Sequence, residues 1–147
     1  MTIIRAVLLL TPIALISCSS PPPNEASSRA YLEKAATEPG AVKTPSGLIY
    51  RELRPGTGTS PAETDTVKVN YRGTLVTGKE FDASNGIKFP LNHVIPCWTE
   101  GVQKMKVGGK SQLVCPASIG YGEQGSPPTI PGGATLIFEI ELLGIGQ

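Results

Sequence analysis

Alternating apolar and polar residues mark the main strand candidates of this chain. From Thr66 to Leu75, the apolar side chains Val67, Val69 and Tyr71 alternate with polar ones, which is the two-residue period of a half-buried strand. Residues 136–142 repeat the pattern near the C-terminus. Shorter strand candidates lie at residues 48–53 and 111–115, and a hairpin turn is expected at residues 75–81. The pattern therefore predicts a strand-rich domain.

One short helix is predicted among the strands. Pro96 suits a first helical position, and Trp98, Val102 and Met105 follow at helical spacing before Gly108. A helix this short cannot cover its own apolar stripe, so a sheet must wrap around it. The expected fold is therefore α+β, a five- to six-stranded curved antiparallel sheet around one short central helix.

The N-terminal residues have a different character. Residues 1–17 combine Arg5 with a short apolar run, which is typical of a secretory signal and too short for a membrane-spanning helix. The sequence Leu-Ile-Ser-Cys that ends at Cys18 resembles the cleavage box of bacterial lipoproteins, in which the cysteine is lipidated. Ser19 resembles the pattern of lipoproteins sent to the outer membrane. We expect a periplasmic protein anchored through Cys18; the alternative is a plain secretory signal with an incidental cysteine.

Residues 18–43 are predicted to form a linker. Its first part is rich in proline and serine, and residues 25–37 contain helix-forming residues that end before Pro39. Few of them are apolar, so we expect a frayed spacer helix, with Ala30, Tyr31 and Ala35 as its possible contacts. Because this linker is short, we expect a monomer, with the folded domain at residues 44–147.

Composition excludes several classes of function. The chain has 147 residues and 39 % hydrophobic content, which fits one domain. Its 17 glycines and 14 prolines favour strands and turns over a helical bundle. With 13 basic and 12 acidic residues, it has no charge excess that would indicate nucleic acid as a partner.

Other motifs do not support their usual functions. Residues 120–125 match G-x-G-x-x-G, but Ser-Pro-Pro follows where a nucleotide-binding helix must begin. His93 is the single histidine, so Cys97 and Cys115 lack the ligands for a metal site, and no catalytic triad is evident. In an oxidising compartment the two cysteines can form a disulfide, and two buried free thiols are the alternative. No cofactor is expected.

Three long stretches indicate a family. "VKVNYRGTLVTGKEFDAS", "FPLNHVIPCWTEGVQKMKVGGKSQLVCPASIGYG" and "IPGGATLIFEIELLGI" resemble, in order and spacing, the FKBP family of peptidyl-prolyl cis-trans isomerases, over residues 44–147. The resemblance implies the same sheet around a short helix. It also implies noncovalent acceleration of X-Pro bond rotation in exported polypeptides, and binding of the family's macrolide inhibitors. The alternative is a proline-binding chaperone or docking lipoprotein with little turnover.

The resemblance also implies a set of pocket residues. Trp98 matches the floor of the proline pocket, Asp82 a carboxylate at its edge and Tyr121 a hydroxyl that bonds a ligand carbonyl. The implied walls and neighbouring segments are Tyr71, Phe81, Val94, Ile95, Ile130 and Phe138. Taken singly, Tyr71 and Phe138 also fit a plain core role, Asp82 a turn and Tyr121 an aromatic that packs its loop.

Two departures from the family pattern affect this pocket. The segment after Asp82 is short, so a further aromatic is expected to be missing or replaced by Ile87. The loop tip carries Ser126 and Thr129 where other residues are frequent in the family, so we expect this loop to shape substrate preference.

Overall fold

The computed structural model describes residues 23–146. Within these residues, no helix combines the length and the apolar character needed to cross a bilayer. The elements are α1 (Pro23–Ala36), β1 (Ala41–Lys43), β2 (Ile49–Arg54), β3 (Thr66–Leu75), β4 (Glu80–Pro90), α2 (Pro96–Val102), β5 (Lys110–Cys115) and β6 (Leu136–Ile145). Single turns of 3-10 helix lie at Leu91–His93 and Ala117–Ile119.

The strands form one six-stranded sheet in the order β1-β2-β5-β6-β3-β4, and every neighbouring pair is antiparallel. This confirms the predicted fold class. Strand β3 has the predicted bounds, and β6 lies between β5 and β3 near the middle of the sheet. Strand β1 and most of β4 were not predicted. Strand β1 is only three residues long, and β4 is an edge strand whose register shifts twice against β3, so its alternation is broken.

Helix α2 packs on the face of the sheet that we call the inner face. Every second residue of β6, from Leu136 to Leu142, belongs to the same buried cluster as Trp98. Gly101 allows this packing, since a Cβ there would lie 2.7 Å from the methyl groups of Leu113. Met105 lies beyond the end of α2, yet it is buried as the predicted stripe requires.

Helix α1 covers the opposite side of the sheet, which we call the outer face. Ala35 packs with Ile49, Val114 and Ile137. The buried hydroxyl of Ser28 donates to the carbonyl of Gly133, 3.2 Å away, and accepts from the amide of Thr135 at 3.1 Å. The helix is therefore part of the folded unit, whereas its composition led us to expect a frayed spacer.

A disulfide connects α2 to the sheet. It joins Cys97, in the first turn of α2, to Cys115, at the end of β5, and their Cα atoms are 5.8 Å apart. Both side chains are fully buried. The bond therefore holds the start of α2 against the inner face, next to Trp98.

Candidate active site

Trp98 is the centre of an aromatic cluster. Pro96 begins α2, which places the indole in the first turn, and the side chain is only 4 % exposed. Its ring centroid lies 5.0 Å from that of Tyr71, 5.6 Å from that of Phe89 and 5.3 Å from that of Phe138, each at 82–90°. These edge-to-face contacts are favourable for aromatic rings and fix the orientation of the indole.

A cavity of about 460 Å³ opens beside this cluster. Its size lies within the range of small-ligand pockets, and most of its wall is aromatic or aliphatic. The residues that line it are Tyr71, Phe81, Asp82, Phe89, His93, Val94, Ile95, Trp98, Tyr121 and Phe138.

Gly73 makes room for one wall of the cavity. Phe81 on β4 and Phe138 on β6 meet edge to face, with centroids 5.5 Å apart. A Cβ on Gly73, in the strand between them, would lie 2.6 Å from Phe81 and 2.9 Å from Phe138. Any larger residue at this position would push the two rings apart.

A hydrogen bond joins two polar groups at the edge of the cavity. The hydroxyl of Tyr71 donates to Oδ2 of Asp82 at 2.6 Å. Burial raises the pKa of Tyr71, and the hydrogen bond to Asp82, the charge of Asp82 and the proximity of Tyr121 raise it further. Tyr71 therefore remains a neutral donor, and its ring and the carboxylate hold each other in place.

The hydroxyl of Tyr121 is available to a ligand. This residue follows the 3-10 turn at Ala117–Ile119, and it is 42 % exposed while lining the cavity. Within residues 23–146, its hydroxyl has no hydrogen-bond partner. Nε1 of Trp98 also has no partner there, but it is buried, which shows how few polar groups surround the floor.

The sequence comparison identifies the family. Residues 57–143 match the family model of the FKBP-type peptidyl-prolyl cis-trans isomerases. The chain belongs to this family. It is 46 % identical to the FKBP-type peptidyl-prolyl cis-trans isomerase FkpA of Escherichia coli over 126 residues, which cover 83 % of this chain and 46 % of FkpA. The chain thus spans about half the length of the curated relatives it matches.

Solved structures show the same FKBP fold. The crystal structure of FkpA from Escherichia coli superposes with a TM-score of 0.81 at 46 % identity and covers 84 % of this chain and 59 % of that chain. A peptidyl-prolyl cis-trans isomerase from Pseudomonas syringae pv. tomato superposes with a TM-score of 0.80 at 36 % identity. That match covers 88 % of this chain and 100 % of the other.

The FKBP domain brings together all but one of the pocket residues that the resemblance implied. The exception is Ile130, which is 5 % exposed and packs in the core instead of lining the cavity. Its amide and carbonyl bond the backbone of Ser126 at 2.9 and 2.8 Å. Ile130 thus closes the loop that follows Tyr121.

Phe89 is the aromatic residue that sequence reasoning missed. It lines the cavity and contacts both Trp98 and Tyr71, whereas Ile87 packs against the core without lining the cavity. The signal was present in the sequence, because residues 87 and 89 of one strand face the same side. His93, which we assigned no role, is exposed at the rim.

The remaining candidates do not add a second functional site within the described residues. Cys18 and the signal-like residues 1–17 lie outside the described residues. In the part of the chain from residue 23 to residue 146, no three His, Cys, Asp or Glu side chains group as metal ligands would.

Proposed function

We propose that this FKBP domain is a peptidyl-prolyl cis-trans isomerase that acts on proline-containing, unfolded or exported polypeptides. The observation that carries the proposal is the ring-lined cavity over Trp98, with Tyr71, Phe81, Phe89 and Phe138 around it. An open recess with these walls fits a proline ring, which is compact and apolar.

The cavity suits a reaction that needs no covalent bond to the protein. Rotation about an X-Pro bond breaks amide resonance, with a barrier of about 18–20 kcal/mol and a waiting time of tens of seconds or more. In the twisted state the carbonyl loses much of its charge separation. Surroundings poor in water therefore favour the twisted state over the planar one. A millionfold acceleration requires about 8 kcal/mol of such preference.

The polar groups of the cavity take separate roles in this proposal. Tyr121 donates its free hydroxyl to a substrate carbonyl and so positions the peptide. Asp82, held by Tyr71, places a carboxylate at the edge of the slot. Val94 and Ile95 form an aliphatic border. Ile130 contributes to binding only indirectly, by fixing the loop after Tyr121.

A refolding assay tests the activity. The chain from residue 19 onward is added to a protein whose refolding is limited by proline isomerisation. We expect acceleration at micromolar enzyme, a strong loss with Tyr121→Phe if its hydroxyl positions the carbonyl, and no loss with Tyr31→Phe, since Tyr31 lies on the outer face. Binding of a proline peptide without acceleration would instead favour the docking or chaperone function.

We propose the periplasm as the location, with the chain anchored to the outer membrane through lipidated Cys18. The support is the signal-like pattern of residues 1–17 and the lipoprotein-like box that ends at Cys18. Mass spectrometry of the mature chain should show an acylated N-terminal cysteine. An unmodified cysteine, or a chain cut elsewhere, would contradict the anchor.

We propose a monomer that binds macrolide inhibitors of the family. Helix α1 already covers apolar residues of the outer face, which leaves them unavailable to a second copy. Sedimentation should give the monomer mass.

A macrolide should quench or shift Trp98 fluorescence, because the indole lines the cavity.

A further inference from the structure

A second groove adjoins the proline cavity. It has a volume of about 540 Å³ and crosses the solvent side of α2. Six of its nine lining residues have polar side chains, among them Glu63, Asn92, Glu100 and Gln103, although apolar atoms make up most of its exposed wall. Val94 lines both the groove and the cavity, so the two recesses meet at one side chain. We call this recess the acidic groove.

The acidic groove carries negative charge that the fold leaves unneutralised. Glu63 is exposed and Glu100 is half-buried, and no lysine or arginine lines the groove. Within residues 23–146, neither carboxylate lies within ion-pair distance of a cation. Glu100 accepts a hydrogen bond from the hydroxyl of Ser46, which keeps its carboxylate in the groove.

The backbone between the two recesses is extended. Val94 has φ −115° and ψ 174°, and it separates the 3-10 turn at Leu91–His93 from the start of α2. A polypeptide that places its proline in the cavity must leave the cavity along its border. Because each extended residue advances about 3.3–3.6 Å, a residue close to the proline would reach the groove if the bound chain crosses Val94.

We propose that the acidic groove is a substrate subsite for a lysine or arginine side chain near the isomerised proline. The inference rests on the proposed isomerase function and deepens it. Its physical basis is the complementarity between a cation and the carboxylates of Glu63 and Glu100, which form no ion pair within residues 23–146, and the continuity of the groove with the proline cavity. The enzyme would thus prefer basic segments of its client polypeptides.

A matched set of peptides tests this preference. Each peptide contains one X-Pro dipeptide. It carries Lys, Ala or Glu at one of four positions, which are the two residues before the dipeptide and the two residues after it. With the complete chain in detergent solution, kcat/KM is measured at about 20 mM ionic strength. At one of the positions, we expect the Lys peptide to exceed the Ala peptide about two- to fivefold, as for partly exposed ion pairs. At about 500 mM salt the difference should largely vanish.

Variants assign the effect to the groove. The double variant Glu63→Gln/Glu100→Gln should turn over the Lys and Ala peptides equally. Glutamine can still accept the Ser46 hydrogen bond, so α2 should stay folded. Glu63→Lys changes an exposed side chain and should turn the preference towards the Glu peptide. Glu52→Lys makes the same change of charge as Glu63→Lys on β2 outside the groove, and it should leave the preference intact.

The outcomes separate this inference from the proposed function. If wild-type protein does not accelerate the Ala peptide, the isomerase function itself fails. If it accelerates the Ala peptide but shows no gain with Lys, the acidic groove is not a subsite. A Lys preference that persists unchanged in the double variant and in Glu63→Lys would also overturn the inference.

Discussion

The two faces of the sheet carry a helix each but are packed differently. On the outer face, α1 buries small and aliphatic side chains such as Ala35, Ile49 and Ile137. On the inner face, α2 presents Trp98 to a ring cluster that borders an open cavity of about 460 Å³. Successive side chains of β6 point to opposite faces of the sheet. This one strand therefore contributes apolar residues to the buried clusters on both faces.

The difference indicates a division of roles. The outer face contributes stability, whereas the inner face contributes stability and also keeps an aromatic surface open for a ligand. Large rings suit the open side because they keep their orientation through edge-to-face contacts even where one side lacks neighbours. Substitutions on the two faces should therefore separate stability from activity.

The largest effect is expected for Trp98→Ala. The change removes the floor of the cavity and a buried ring with three aromatic contacts. Isomerase activity should be lost, and the free energy of unfolding should fall by about 3–5 kcal/mol. Trp98→Phe serves as the control, since it keeps a ring and should retain part of both. Full activity of folded Trp98→Ala would contradict the assigned floor.

Removal of the disulfide should cost less stability. In Cys97→Ala/Cys115→Ala, the unfolded chain regains the freedom of a loop with a sequence separation of 18 residues. The free energy of unfolding should fall by about 3 kcal/mol in a denaturant titration. Reduction of the wild type should lower stability to a similar level. If reductant changes nothing, the two cysteines are not bridged in solution.

A substitution on the outer face should affect stability alone. Ile137→Ala leaves a cavity under α1 and should lower the free energy of unfolding by about 2 kcal/mol. Refolding acceleration per folded molecule should stay at the wild-type level, because Ile137 points away from the cavity. Equal losses of activity and stability would show that the two faces are not separable.

The contact of α1 with the loop before β6 offers a smaller test. Ser28→Ala removes the acceptor of the buried Thr135 amide and should lower the free energy of unfolding by about 1–2 kcal/mol. Ser28→Thr keeps a hydroxyl and is the matched comparison. Hydrogen exchange at the Thr135 amide should speed up in the alanine variant only. Unchanged exchange would indicate that α1 does not pack on the sheet as described.

The smallest effect concerns alkaline pH. The folded state holds the pKa of Tyr71 above its ordinary value of 10.0, so this residue contributes stability that is complete below pH 10. As pH rises above that value, the unfolded state loses the proton first, and stability falls. Tyr71→Phe should show a shallower decline of the free energy of unfolding above pH 10. Parallel declines would show that burial and the contact with Asp82 do not raise the pKa of Tyr71 in the folded state.

Much of the inner face was predictable because its residues follow simple periods. Strand β3 and the stripe of Trp98, Val102 and Met105 are evident from spacing alone. The family resemblance then implied which rings meet. Phe89 was missed because the further aromatic was expected at Ile87, two residues earlier on the same side of β4, although the register shifts of that strand lie elsewhere.

The outer face was harder to predict because its contacts use small residues. The contacting residues of α1 recur at helical spacing, and they are Ser28, Tyr31, Leu32 and Ala35. Alanine and serine, however, give little hydrophobic signal. The burial of α1 depends on partners far away along the chain, such as Ile137. Local composition therefore indicated a helix and not the surface on which it packs.

The packing of α1 on the sheet would limit how far the domain stands from the bilayer if Cys18 carries the proposed lipid. The segment from Cys18 to Pro23, where α1 begins, is five residue steps long. Fully stretched, that segment spans at most about 18 Å. With that anchor, the proposed isomerase would work within a thin layer next to the bilayer, where it would meet the proposed client polypeptides.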